Sequence, residues 1–184
     1  MAIEVRAQLD TDAAAVHDVV AAAFGGPLVA NLWDALAARP GSASYVAESD
    51  GRIVGHAGLT WSWVDAPDRL VDVLVLSPLS VAPGEQGHGI GRALVERAIT
   101  AADGLGAPIL FLEGDPAFYS RVGFEPAAPH GLTPPSVRIP LPAFQFVRLS
   151  AYDPSITGAL VYADTFWAFD CVGLRGELLE SFRD

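Results

Sequence analysis

Residues 70–94 read "LVDVLVLSPLSVAPGEQGHGIGRAL". An aliphatic run dense enough for a buried strand leads into Gly87, Gly89 and Gly91, and then into an apolar-periodic helix. Glycine inside a helix costs about 1 kcal/mol against alanine. Three of them at a helix mouth therefore need a reason. The first N–H groups of a helix have no internal acceptor, and the dipole makes that end positive. Glycines let the backbone approach a ligand and aim several N–H groups at one target. A strand, a Gly-rich turn and a helix from about Gly89 thus describe a cradle for a phosphate group, and require a fold in which a strand feeds a helix.

The commoner nucleotide loops do not fit. A Walker-type loop needs a lysine, and the chain has none, since all 11 of its basic residues are arginines. A G-x-G-x-x-G fingerprint fails at Arg92 when counted from Gly87, and at Leu94 when counted from Gly89.

The rest of the chain reads as one mixed α/β domain with a central sheet. Residues 3–8 form a first strand. Asp10 or Thr11 caps a helix with Val16, Val19, Val20 and Phe24 on one face. "GGP" breaks it, and residues 28–38 make a second helix. Residues 44–64 form a hairpin turning at Asp50-Gly51. After the helix that starts near Gly89, with Leu94, Val95, Ala98 and Ile99 inward, come a buried strand ("PILFLEGD") and a short helix ("PAFYSR"). The strand "VGFEPA", a proline-rich loop at 127–142 and a strand at 144–149 follow. Beyond residue 151, "GALVYADTFWAFD" suggests a strand and a docked aromatic segment.

At 184 residues with 51% hydrophobic and 18% charged side chains, the composition is that of a folded domain. Its apolar runs are too short to span a bilayer, and no secretory signal is visible at the N-terminus. Cys171 has no internal partner for a disulfide. A cytoplasmic protein is expected. The net charge of −11 disfavours nucleic acid and anionic membranes. It suits a cationic substrate such as an amine, or simply solubility.

The pattern that does fit is Q-x-x-G-x-G at Gln86, Gly89 and Gly91, preceded by "LSVAP" and followed by "RAL". With "AFYSRVGFEP" downstream, it resembles the GCN5-related N-acetyltransferase superfamily, and within it a branch of predicted bacterial acetyltransferases. The resemblance spans most of residues 1–149, the core of an expected single domain over 1–184 with an extension at 150–184. It implies a mostly antiparallel sheet, splayed between strands 4 and 5 and flanked by helices.

The same resemblance implies the ligand and the roles. Acetyl-coenzyme A is the co-substrate, with no metal. The backbone of Gln86, Gly87, His88, Gly89, Gly91 and Arg92 surrounds its pyrophosphate. Arg92 either adds a side-chain contact or is a solvated first-turn arginine. Leu79, Ser80 and Val81 run beside the pantetheine, and an N–H near Leu79 faces the thioester oxygen, where it would stabilise an oxyanion. Pro78 lacks a ladder donor, which suits a bulge or splay there. Tyr119 aligns with the general acid that protonates the departing thiolate; packing under the cofactor is its simpler role.

The general base is less defined. Some family members carry a glutamate where this chain has Val75. Asp72 has the wrong strand parity relative to Val75. Glu113 and Asp115, at the end of the next strand, and His56 are the alternatives, besides a water relay or an acceptor of low pKa. Glu113 is the choice. Trp61, Trp63 and Trp167 suit either the wall of an acceptor pocket or packing, and Cys171 has no assigned role.

The expected function is acetyl transfer from acetyl-coenzyme A to a primary amine of a small molecule or peptide, by direct attack in a ternary complex. A homodimer is compatible with it. The alternatives are a non-catalytic acyl-coenzyme A sensor, which the missing carboxylate at Val75 favours, and a nucleotide-binding α/β domain.

Overall fold

The computed structural model describes residues 3–176. The first two residues and the last eight of the expected C-terminal extension lie outside them. Two compact units divide the chain: residues 1–60 with 76–102, and residues 61–75 with 103–184. The strands β3 (Arg52–Asp65) and β4 (Leu70–Val81) contribute to both.

The first unit opens with β1 (Ile3–Ala7), a single 3-10 turn at Asp10–Asp12, α1 (Ala13–Phe24) and α2 (Pro27–Ala37). The expected cap at Asp10 or Thr11 is displaced. The helix proper starts at Ala13, and the Asp12 carboxylate instead accepts from the Leu9 N–H and from Arg6. Val16, Val19 and Val20 are buried as expected, whereas Phe24 is half exposed at the last turn. Gly25 then takes the left-handed conformation that stops the helix, and Pro27 starts the next one. β2 (Ala43–Ser49) pairs antiparallel with β1 and β3, and Asp50-Gly51 turns the hairpin with positive φ at both positions. α3 (Ile90–Gly104) follows the last part of β4. It buries Leu94, Val95 and Ala98, with Ile99 half-buried.

Arg6 ties the start of this unit together. Its guanidinium reaches Asp12 at 2.6 Å and Glu48 at 2.7 Å, so one cation joins β1, the entry to α1 and β2. The two carboxylates raise the Arg6 pKa still further above its ordinary value, and Asp12 is held below the usual carboxylate range by Arg6.

Trp33 on α2 is 2% exposed and lies on Gly58 of β3. A Cβ at Gly58 would collide with the indole at Cζ3, so only a bare Cα admits the ring. Beside it is His56, fully buried, with ring centroids 4.6 Å apart. Ser44 Oγ donates to Gln8 Oε1, which leaves it to accept from His56 Nε2–H at 2.9 Å. His56 Nδ1 has no partner among the described residues, and burial pushes the imidazole down to about 3.

The second unit holds the first part of β4, β5 (Ile109–Glu113), the short α4 (Pro116–Tyr119), β6 (Glu125–Pro126), β7 (Leu132–Thr133), β8 (Phe144–Arg148), β9 (Gly158–Val161) and α5 (Asp164–Ala168). β4 and β5 run parallel, registered at Leu74↔Leu110 and Val75↔Phe111. β8 returns antiparallel to β5 and also carries β6. β9, the strand expected from "GALV", pairs antiparallel with the end of β3 and parallel with β7. Phe111, Phe144 and Phe146 are buried and pack ring on ring. The architecture is the expected one: mixed α/β, with a mostly antiparallel sheet, parallel steps at β4–β5 and β7–β9, and helices on its flanks. Among the described residues, no helix is long and apolar enough to cross a membrane.

The neutral, buried His56 makes stability depend on pH with a definite sign. Its folded pKa is about 3 and its ordinary value 6.5, so between them the unfolded chain binds the extra proton. Stability is then lost as pH falls below 6.5. Urea titrations should show a loss of about 1.5 kcal/mol attributable to this group between pH 6.5 and 5. His56→Gln, which cannot be protonated there, should flatten that part of the curve.

Candidate active site

The glycine loop lies in the first unit. β4 ends at Val81, and the Ala82 N–H donates to Val54 O at 2.8 Å, which anchors the exit from the strand. A 3-10 turn at Pro83–Glu85 follows. Gln86 Nε2 donates to Val81 O at 3.2 Å, and His88 Nδ1 lies 3.2 Å from Glu85 O. Both side chains therefore brace the loop, which accounts for the glutamine in the motif. Gly87 and Gly89 have φ of 80° and 83°, a left-handed backbone that side-chain-bearing residues rarely adopt. A Cβ at either would meet nothing within 4 Å. Backbone conformation, not crowding, thus requires these glycines, and the space above them is open.

The helix's N–H···O bonding starts with Ala93 N–H to Gly89 O at 3.1 Å. The N–H groups of Ile90, Gly91 and Arg92 precede it, as in any helix start. The segment can therefore hold an anion with backbone alone, and α3, at 15 residues, contributes a full dipole. Arg92 turns its side chain along the helix to Glu96, with Nε 2.8 Å from Oε1, on the exposed face. Upstream, Leu79 and Val81 are half-buried and Ser80 is buried. Ser80 Oγ has no hydrogen-bond partner among the described residues.

The second unit holds the titratable side chains. Glu113 is the last residue of β5, opposite Phe144 of β8, and is half-buried. Its Oε1 accepts from Tyr162 O–H at 2.5 Å. Burial raises the carboxyl above the ordinary glutamate value. Tyr162, the Arg138 cation and a backbone hydrogen bond from Gly173 pull it back. Asp115, the neighbouring carboxylate, caps α4: its Oδ1 accepts from Ala117 N–H at 2.8 Å. Tyr119 ends that helix, and its ring stands edge-on to Phe118 and Phe124. It also rests on the backbone of Gly114, where a Cβ would collide with Cε2. The structure therefore brings Tyr119 against the residue that follows Glu113. Burial, then the Asp115 charge, push the phenol up to about 12.

The remaining candidates are dispersed. Val75 is buried aliphatic strand, and Asp72 is exposed. His56 is sealed in the first unit, and its depressed pKa makes it a weak base. Trp61 and Trp63 are half-buried, and Trp167 is 45% exposed. Cys171 is half-buried, and burial raises its thiol pKa, the opposite of what a nucleophile needs.

The model of the acetyltransferase (GNAT) family matches residues 14–124, more than half of the chain. The chain belongs to the GNAT acetyltransferase family. It is an acyltransferase by that membership. The N-acetyltransferase YjhQ of Escherichia coli K12, itself uncharacterised, is 31% identical over 84% of this chain and 88% of its own. The crystal structure of the GNAT N-acetyltransferase YhbS from Escherichia coli in complex with CoA has a TM-score of 0.78 at 29% identity, covering 89% of this chain and 91% of that one. A GNAT acetyltransferase from Brucella melitensis in complex with acetyl-CoA has a TM-score of 0.72 at 28% identity, covering 90% and 98%.

Three groups around the GNAT chain's nominated residues have roles that the sequence does not mark. Tyr162 meets Glu113 across 49 positions, and Arg138 sits in the proline-rich loop; neither is marked by its neighbours. Gly114 is visible in "LEGD", but its purpose emerges only with Tyr119 on top of it. Gly114→Ala should force the Tyr119 ring aside. A loss of about 1–3 kcal/mol in chemical denaturation is expected, together with altered tyrosine near-UV circular dichroism.

Proposed function

We propose that this protein transfers an acetyl group from acetyl-coenzyme A to a primary amine, by direct attack in a ternary complex, as one catalytic domain. The observation that carries this reading is the loop at residues 86–91. It combines left-handed glycines, open space and a helix start, and so fits a diphosphate without any cationic side chain. The coenzyme A and acetyl-coenzyme A bound in the two similar GNAT structures support the same ligand. Bound there, acetyl-coenzyme A would supply an activated thioester, and the chain's residues do the rest.

The backbone of Gln86, Gly87, His88, Gly89, Gly91 and Arg92 holds the pyrophosphate. Leu79, Ser80 and Val81 would line the pantetheine, with an N–H near Leu79 as the donor to the thioester oxygen. Glu113 takes the proton that an ammonium must lose before it attacks. Its partial burial favours this, because a carboxyl raised toward neutrality accepts a proton more readily.

Tyr119 is the acid, and its pKa says in what manner. A thiol titrates near ~8.5, so outright proton transfer from a phenol at about 12 is uphill by roughly 5 kcal/mol. The phenol therefore serves first as an O–H hydrogen bond to sulfur while negative charge builds there. The acceptor is an amine-bearing small molecule or peptide, to which the acidic chain is suited.

The cradle is tested with a matched pair. Gly89→Ala and Gly89→Asp both put a Cβ into open space at a left-handed backbone position, which aspartate tolerates at least as well as alanine, so the carboxylate is what sets them apart. In calorimetry the aspartate variant should bind coenzyme A at least tenfold more weakly than the alanine variant, although its fold is no less stable. Equal affinities would remove the cradle assignment. The chemistry is tested by amine-dependent thiol release, which separates catalysis from mere cofactor sensing. Tyr119→Phe should lower kcat by about 10²-fold. The base must be ionised, so kcat/KM should rise with pH through a midpoint above 4.5. The acid must be protonated, and at about 12 it should impose no alkaline fall below pH 10.

A further inference from the structure

β9 and the residues after it bring to Glu113 a side chain that the family motif does not contain. Tyr162 directly follows β9, which is registered on β3 at Trp63↔Val161 and Val64↔Leu160. It is 5% exposed, and its ring packs on Phe166 with centroids 4.7 Å apart. Two held elements thus fix the position of its hydroxyl. That hydroxyl donates to Glu113 Oε1 at 2.5 Å, in the range of charge-assisted O–H···O⁻ bonds.

Asp115, two positions on, is committed to its helix cap, so it does not compete for this phenol. The other groups that face Glu113 are the Arg138 cation and a backbone donor at Gly173. Arg138 is shared with Asp170, 3.6 Å from its Nη1, and that carboxylate is itself bound to Arg175 at 2.6 Å. Asp170 is thus held mainly by Arg175, Arg138 Nη1 makes no hydrogen bond among the described residues, and Arg138 acts on Glu113 through its charge, while Tyr162 is the neutral donor in direct contact. A phenol buried beside a carboxylate resists ionisation, because a second negative charge there would be repelled. The proton of the pair stays on Tyr162, and Glu113 is the partner left to titrate.

We propose that Tyr162 is a positioning residue for Glu113: its hydroxyl fixes Oε1 and favours the charged form that accepts the acceptor's proton. The inference rests on the reading of Glu113 as the base. It gives the segment after residue 150 a part in setting the pH range of the reaction.

The test is a titration of the Glu113 carboxyl by ¹³C NMR in the full chain, with pH profiles of kcat/KM. Tyr162→Phe removes one oxygen and keeps the ring. The Glu113 midpoint and the acid limb should both move up by about one to two pH units, with kcat on the plateau within a few-fold of wild type. Fluorotyrosine at position 162 is a stronger donor in the same shape, so both should move down. Opposite shifts from two ring-preserving changes are not what a packing role produces. A Glu113 midpoint that stays put in both proteins overturns the proposal. Should Tyr162→Phe fail to fold, the fluorotyrosine protein decides alone. Wild-type kcat in Glu113→Gln would instead remove the base reading, while the titration would still report whether Tyr162 holds the carboxylate.

Discussion

A large aromatic ring laid on a bare Cα recurs in both units. Trp33 lies on Gly58 in the first, and Tyr119 on Gly114 in the second. In each case a single added methyl group would occupy space that the ring already fills. Protein interiors are packed to crystal-like density, so such contacts have little slack. They also fix what stands nearby. His56 is sealed beneath Trp33, and Tyr119 is held where the chain leaves Glu113. Neither glycine is in a left-handed turn, so neither is explained by backbone freedom.

The glycines of the loop at 86–91 have the opposite logic. Gly87 and Gly89 face open space, and their backbone angles alone require them. Close approach by protein and positive φ are thus separate uses of the same residue. A sequence does not distinguish them, because it shows a missing side chain but not its surroundings.

Much of the architecture is legible because its signals are local. The strand-to-helix passage at 70–94, the Asp50-Gly51 hairpin and the break at residues 25–27 are each written in adjacent residues. The glycine spacing, with the absent lysine, also separates this loop from the nucleotide loops. Other features depend on distant partners. The N-cap position of α1 falls on Asp12, not on Asp10 or Thr11, and its carboxylate makes no cap bond because Arg6 and the Leu9 N–H take it. Asp115 and Glu113 look equivalent in "LEGD", but one caps a helix and the other accepts a phenol.

The groups around Glu113 also have a bearing on how this chain divides. The GNAT match ends at residue 124, yet Arg138, Tyr162 and Gly173 all lie beyond it. The portion that resembles the family carries the glycine loop, Tyr119 and Glu113 itself. The portion beyond carries the groups that make Glu113's charge tolerable in a partly buried place. Grafting the matched segment alone onto another scaffold would move a carboxylate without its counterweights. In this protein, burial raises the proton affinity at the end of β5, and the groups that pull it back, Tyr162, Arg138 and Gly173, all lie beyond the stretch that the family model matches.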